Sequence, residues 1–312
     1  MNRLRWIFQR LLQLIPVLIG ITFVSFMLVQ LTPGDPARLM LGNKASPEAV
    51  EAVRERLGLN QPKVKQYFSY MGRLAQGDLG ESIRYRVPVS GLITDVLPVS
   101  GFLALYVIIL TIPATLILGV TAARRQGSWL DQTIRVFSVL GMTMPVFWLA
   151  ILMLRLFSVQ LGLFPVSGYG VGFSGHLHHL FLPAFSISIY LIPVLLRNLR
   201  AAILEEMEAD YVVASRAKGL PEAYIFRSHI LKNASLPTLN LFGVMVTYLI
   251  GGTVIVELVY AIPGLGTLMF NAILGRDYSV IQGLTLFYAF ATVMITLFTD
   301  LISSLIDPRV EL

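Results

Sequence analysis

Three of the four histidines, His176, His178 and His179, cluster in the sequence. Neutral imidazoles at that spacing are able to ligate a metal. An octahedral or square-planar site would want further ligands, and none is evident nearby. Packing at an interface is the expected role, with a metal site as the alternative, so no metal is assigned. There is no cysteine, which excludes a disulfide, a thiolate nucleophile, Cys-ligated zinc and an iron–sulfur cluster. The chain has no Walker A pattern, no His-Glu-x-x-His and no Gly-x-Ser-x-Gly. Gly168, Gly170 and Gly172 lack the strand–turn–helix setting that phosphate binding needs. No catalytic residue and no cofactor bound by this chain, ATP included, are expected. Apart from arginines near the run ends, Arg155, Glu257 and Asp300 are the charges inside apolar runs. A charge at a bilayer centre costs at least ~2.5–3.5 kcal/mol, so pairing or snorkelling is expected ahead of a proton relay. Gly251, Gly252 and Thr253, beside Glu257, either line a passage or pack helices.

The elements that must position these residues are membrane spans. Of 312 residues 55% are hydrophobic and 13% charged, against about 25% charged in an ordinary soluble domain. The mean hydropathy is +0.73. An all-α polytopic membrane protein follows. The +6 net charge is then explained by basic residues on one side of a bilayer, without nucleic acid. A hydrocarbon core needs about 20 apolar residues per helix. Six runs satisfy this: Gln9 to Leu31, Gly101 to Ala123, Ile134 to Leu161, Leu180 to about Ile203, Leu236 to Val259 and Ile281 to Ile306. Pro145 and Arg155 predict a bent or tilted third span. The first run is too long for a signal-peptide core and reads as an uncleaved anchor.

With the N-terminus inside, the inner segments hold Arg3, Arg5, Arg10, Arg124, Arg125, Arg197, Arg200, Arg216, Lys218, Arg227, Lys232 and Arg309. The short outer loops hold little beyond Arg276. Both termini are therefore expected in the cytoplasm. Three regions result: residues 1–31 with the first span, an extracytoplasmic cap at 32–100, and a core at 101–312 with five spans and an inner loop at 204–236. Within the cap, Ser46-Pro47-Glu48 starts a helix that Gly58 closes. Val64, Tyr67, Phe68 and Met71 space out a second, amphipathic helix. The cap is expected on the outer membrane face, either against a partner or as a surface anchor alone.

The inner loop looks built to dock. Acidic Glu205, Glu206, Glu208 and Asp210 precede a short helix, and Arg216 and Lys218 lie at its end, as the helix dipole favours. Gly219 suits a left-handed exit and Pro221 cannot continue the helix. Asp210 to Lys218 thus reads as about two turns, with Ala214, Ser215 and Ala217 as a small-residue surface. A second helix, Pro221 to Lys232, is expected before Leu236-Pro237 leads into the fifth span. The alternative is a loop packed under its own bundle.

This stretch resembles the EAA loop of binding-protein-dependent ABC importer permeases. The pattern's Glu-Ala-Ala and Gly correspond to Val213, Ala214, Ser215 and Gly219, with Ala234, Leu236 and Pro237 following. Other segments resemble the peptide/nickel branch of that family: Leu31 to Pro36, Leu57 to Leu59, Phe157 to Pro165 and Asp210 to Leu220. Leu231 to Pro237, Pro263-Gly264-Leu265-Gly266, Arg276-Asp277-Tyr278 and Asp307-Pro308-Arg309 complete the set, in the family's order. Ser279 stands where the family usually has Pro. Within the branch, the chain is most like the first permease subunit of dipeptide importers.

The resemblance implies a type I ABC importer permease fold in a bacterial cytoplasmic (inner) membrane. It implies a second, similar permease, two cytoplasmic ATPases that use ATP and Mg, and an extracytoplasmic solute-binding protein. Asp210, Tyr211, Ala214, Ser215, Arg216, Ala217, Lys218 and Gly219 would form the ATPase-coupling helix. Pro263, Gly264, Leu265 and Gly266 would face the binding protein, and Gly251, Gly252, Thr253 and Glu257 would line the path. The cargo expected is a di- or oligopeptide; the branch also handles nickel chelates, glutathione and some sugars. An ion-coupled secondary transporter would show an internal repeat with broken helices at matching positions, and none is convincing here. A membrane scaffold without transport is the remaining alternative.

Overall fold

A computed structural model describes residues 3–31, 36–41 and 45–306. Thr32 to Asp35 of the Thr-Pro-Gly-Asp-Pro stretch, and Asp307-Pro308-Arg309, lie outside the described residues. Within them the chain is helical, with a lone antiparallel bridge between Glu81 and Pro88. The order is α1 (Arg3–Leu31), α2 (Pro36–Leu41), α3 (Pro47–Leu57), α4 (Lys63–Ala75), α5 (Val89–Arg124), α6 (Trp129–Thr143), α7 (Val146–Met153), α8 (Gly172–Met207), α9 (Asp210–Ala217), α10 (Glu222–Ile225), α11 (Leu231–Val259), α12 (Leu265–Gly275) and α13 (Tyr278–Ile306).

α5, α8 and α13 are each long and apolar enough to cross a membrane alone. Two further candidates are bent pairs, Trp129–Thr143 with Val146–Gln160 and Glu222–Leu249 with Thr253–Val259. The first pair turns through 102°. Pro145 is the cause, because it lacks an N–H and holds the preceding Met144 extended, at ψ 125°. The expected bend is therefore close to a right angle.

Several boundaries differ from the expected spans. α5 begins at Val89, so residues 89–100 are helix continuous with the second apolar run. α8 begins at Gly172 and takes in all three clustered histidines. α11 begins at Leu231, so Pro237 lies inside it and not at its start, and a π-helical stretch, Phe226–Ile230, joins α10 to α11. The second inner helix and the fifth span are thus one bent rod. The wide π turn accommodates the register without a loop.

The main core lies between α5, α8 and α11, where Leu103, Val107, Leu180, Leu191, Leu249 and Tyr260 are buried together. Small residues let helices approach where no hydrophobic drive separates protein from lipid. A methyl built on Gly119 of α5 would stand 2.9 Å from Leu199 of α8, and one on Gly243 of α11 would stand 2.5 Å from Thr299 of α13. In α3, Ser46 caps the helix by accepting from the Ala49 amide, and Gly58 closes it at φ 68°. α4 sits on α1: Tyr67 packs on Phe23 and Phe26, its hydroxyl shares a hydrogen bond with Thr22, and Gln30 donates to Gln66.

Candidate functional site

α9 stands two residues beyond the end of α8. Ala209 precedes it in extended conformation, and Asp210 occupies its first turn. The chain leaves through Lys218 and a left-handed Gly219 at φ 77°. One side is anchored. Val212 is buried with Ile203, Ile225, Phe226 and Ile230. Tyr211 donates to Glu206 and accepts from Asn233 Nδ2 at 3.1 Å. Burial first, then the bond to Glu206, pushes the Tyr211 phenol up to about 12, which keeps it a donor. Arg216 pairs with Glu222 at 2.7 Å and so ties the end of α9 to the start of α10.

The opposite face is free. Asp210, Val213, Ala214 and Ala217 are exposed, Val213 by 57%. Ser215 belongs to the flank instead: it is half-buried and its hydroxyl donates back to the Tyr211 carbonyl at 2.7 Å. Val213 takes its place in the small, apolar outward surface. With exposed Leu220 and Tyr224 nearby in the chain, this is a short rigid knob presenting little bulk and no buried charge.

At the other end of the bundle, the Pro263-Gly264-Leu265-Gly266 loop is organised by Glu257. This carboxylate is 0% exposed. Ser100 Oγ donates to its Oε1 at 2.8 Å and the Thr267 amide to its Oε2 at 3.0 Å, with Thr253 Oγ1 at 3.4 Å from Oε1. Ser100 Oγ in turn accepts from the Leu265 amide at 2.8 Å. The acid thus satisfies the start of α12, where free amides and the dipole favour a negative group. Gly264, Leu265 and Gly266 are buried in this chain, and only Pro263 is exposed. The glycines have an internal reason: a methyl on Gly264 would come within 2.5 Å of Glu257 Oε2, and one on Gly266 within 2.6 Å of Val254 Cα.

Of the other expected path residues, Thr253 is buried beside Glu257, Gly251 is exposed with no atom within 4 Å of a Cβ built there, and Gly252 follows it in α11. Arg155 is exposed in the π-helical stretch that follows α7. His176 Nδ1 bonds the Tyr169 carbonyl at 3.0 Å, His178 Nε2 that of Leu163 at 2.9 Å, and His179 Nδ1 that of Gly175 at 2.9 Å. A carbonyl only accepts, so each of these nitrogens carries the proton. The His176 ring also stacks on Tyr169 at 3.8 Å. His176 and His178 thus organise the loop before α8, while His179 bonds within the helix.

Two buried aspartates escaped sequence reasoning as sites. Asp277 takes the amides of Ile83 at 3.2 Å and Arg84 at 3.1 Å together with the Ser82 hydroxyl, and so clasps residues 82–84 to the start of α13. Asp131 receives a two-pronged bond from Arg200, Nε to Oδ1 at 2.8 Å and Nη2 to Oδ2 at 2.9 Å. The second carried a legible signal. Ser128-Trp129-Leu130-Asp131 has capping-box spacing, and Ser128 does accept from the Asp131 amide. Ser100 and Arg200 carried none, because their partners are distant in sequence.

These helices recur in a solved transporter. The inward-facing methionine ABC transporter MetNI aligns with a TM-score of 0.53 at 19% identity, over 70% of this chain and 95% of that one. The fold is that of an ABC importer permease. Residues 115–312 match the family described as binding-protein-dependent transport system inner membrane component, and residues 3–104 match its N-terminal companion. The chain belongs to that family. A putative peptide transport system permease of Brucella suis is 42% identical over 309 residues, 98% of each chain. A dipeptide transport system permease of Alkalihalophilus pseudofirmus is 36% identical over 99% of each. An oligopeptide transport system permease of Bacillus subtilis is 38% identical over 98% of this chain and 99% of that one.

Proposed function

We propose that this chain is one of two permease subunits of an ATP-driven importer that carries di- or oligopeptides across a bacterial inner membrane. It crosses six times: α5, α8 and α13 singly, the two bent pairs, and α1. Both termini and α9 face the cytoplasm. The segment up to residue 100 forms an outer cap, and residues 101–312 form the permease core. A solute-binding protein delivers peptide to the outer face, where the cap and exposed Pro263 meet it. Two ATPases dock on this permease and its homologous partner. Gly251, exposed on α11, borders the path. The peptide cargo rests on the functions named for relatives that match the chain from end to end.

One observation carries the docking reading. A two-turn helix held on one side by Val212, Tyr211 and Arg216 leaves a small-residue face open beyond α8. This chain has no nucleotide-binding motif, so the driving force must enter through such a contact. ATP binding closes the ATPase pair, and the docked helices move with it as rigid bodies. Ala214→Glu places an unpaired charge in that contact, and Gly219→Val imposes a branched side chain at a positive φ. Each variant should insert normally, yet lose ATPase co-purification or uncouple hydrolysis from uptake. Wild-type uptake by both variants with ATPases bound normally would refute the assignment.

A further inference from the structure

Asp131 opens α6 and is 0% exposed. Its carboxylate takes both prongs of Arg200, and Oδ2 also accepts the Gly127 amide at 3.0 Å. Arg135, mostly exposed, lies 3.8 Å away. Arg200 sits two turns before the end of α8, and two residues separate that end from α9. A second point of contact fixes the far end of α6. A methyl on Gly141 would stand 2.9 Å from the Ile189 carbonyl oxygen and 3.2 Å from Pro193, both on α8. α6 is therefore pinned to α8 at both ends, by a planar bidentate bond and by a backbone contact. Just beyond the second pin the chain turns through 102° into α7.

Two-point attachment makes α6 follow α8. The fork of an arginine resists rotation and sliding in a way that a point charge does not. Losing either partner removes the fork, since Arg135 at 3.8 Å offers Asp131 only a point contact. We propose that Asp131 and Arg200 are positioning residues that carry displacement of α9, through α8, into α6 and its bend. This rests on α9 being the ATPase contact.

The test uses the assembled transporter with its ATPases and binding protein. The chain has no cysteine, so spin-label pairs can be placed freely. One pair joins Ser69 of α4 to Val139, exposed on α6; another, the α9 pair, joins Ser69 to Glu208, exposed beside the start of α9 and outside its docking face. Distances are read without nucleotide and after trapping with ATP and vanadate. In the wild-type background both pairs should shift. In Asp131→Asn the α9 pair should still shift while the α6 shift is lost, and ATP hydrolysed per molecule imported should rise several-fold. Arg200→Lys, which keeps the charge and loses the fork, should act alike and carries the test if Asp131→Asn fails to insert. Reversal of both charges, Asp131→Arg with Arg200→Asp, should recover part of the α6 shift. An α6 shift unchanged in both single variants, or absent from wild type while α9 moves, overturns the proposal. A wild-type complex whose α9 pair does not respond to nucleotide refutes the docking reading instead.

Discussion

Gly264→Ala tests whether Glu257 holds the loop before α12 together. The added methyl would sit 2.5 Å from both Glu257 Oε2 and Ser100 Oγ, where ordinary contact begins near 3.4 Å. Each contact is short by about 0.9 Å, so both groups must withdraw. The bond from Ser100 to Glu257 and that from Leu265 to Ser100, both 2.8 Å, would then lie beyond hydrogen-bond range if Ser100 yields. A buried polar group left unsatisfied costs roughly 1–3 kcal/mol, and overpacking alone costs a similar amount. Partial relaxation reduces the sum, so about 3 kcal/mol of destabilisation is expected. Gly91→Ala is the matched control, because no atom lies within 4 Å of a methyl there and the residue is helical. It should be neutral or stabilise by up to ~1 kcal/mol through helix propensity. The assay is thermal unfolding of both variants in detergent, with binding-protein-stimulated ATP hydrolysis by the assembled transporter alongside. Gly264→Ala should melt several degrees below wild type and lose most of the stimulation while basal hydrolysis survives. If both variants melt and respond like wild type, the Glu257 knot does not hold the loop and the reasoning fails.

Asp277→Ala leaves the Ser82 hydroxyl and the amides of Ile83 and Arg84 without their acceptor, at a cost of about 3 kcal/mol. Tryptic cleavage after exposed Arg84 and Arg86 should become several-fold faster; unchanged cleavage would show that the clasp is dispensable. For topology, single cysteines at exposed Ser69 and exposed Arg125 should differ in intact cells. An impermeant maleimide should label the first and spare the second, and the opposite pattern ends the six-span arrangement.

Local order was legible where the cause is local. Ser46, Pro47 and Gly58 bound α3, Gly219 ends the α9 turn, and Pro145 breaks a helix, because each acts through its own backbone or its nearest neighbours. Apolar runs of membrane length and an all-helical architecture followed from composition, since a bilayer leaves the backbone few ways to satisfy itself. The outward surface of α9 was read in part. Ala214 and Ala217 are exposed, but Ser215 turns its hydroxyl back onto Tyr211 and Val213 takes its place.

What only the tertiary structure decided were pairings across long separations. Nothing near Glu257 in sequence announces Ser100, and nothing near Arg200 announces Asp131. A glycine's sequence neighbourhood also cannot distinguish a surface that awaits a partner from a backbone pressed onto its own carboxylate. Gly264 and Gly266 were read as the first, and within this chain both press on their own neighbours, Glu257 and Val254. The reason is geometric. The helix starts here are satisfied by side chains from other helices, and their positions exist only once α5, α11 and α12 have packed.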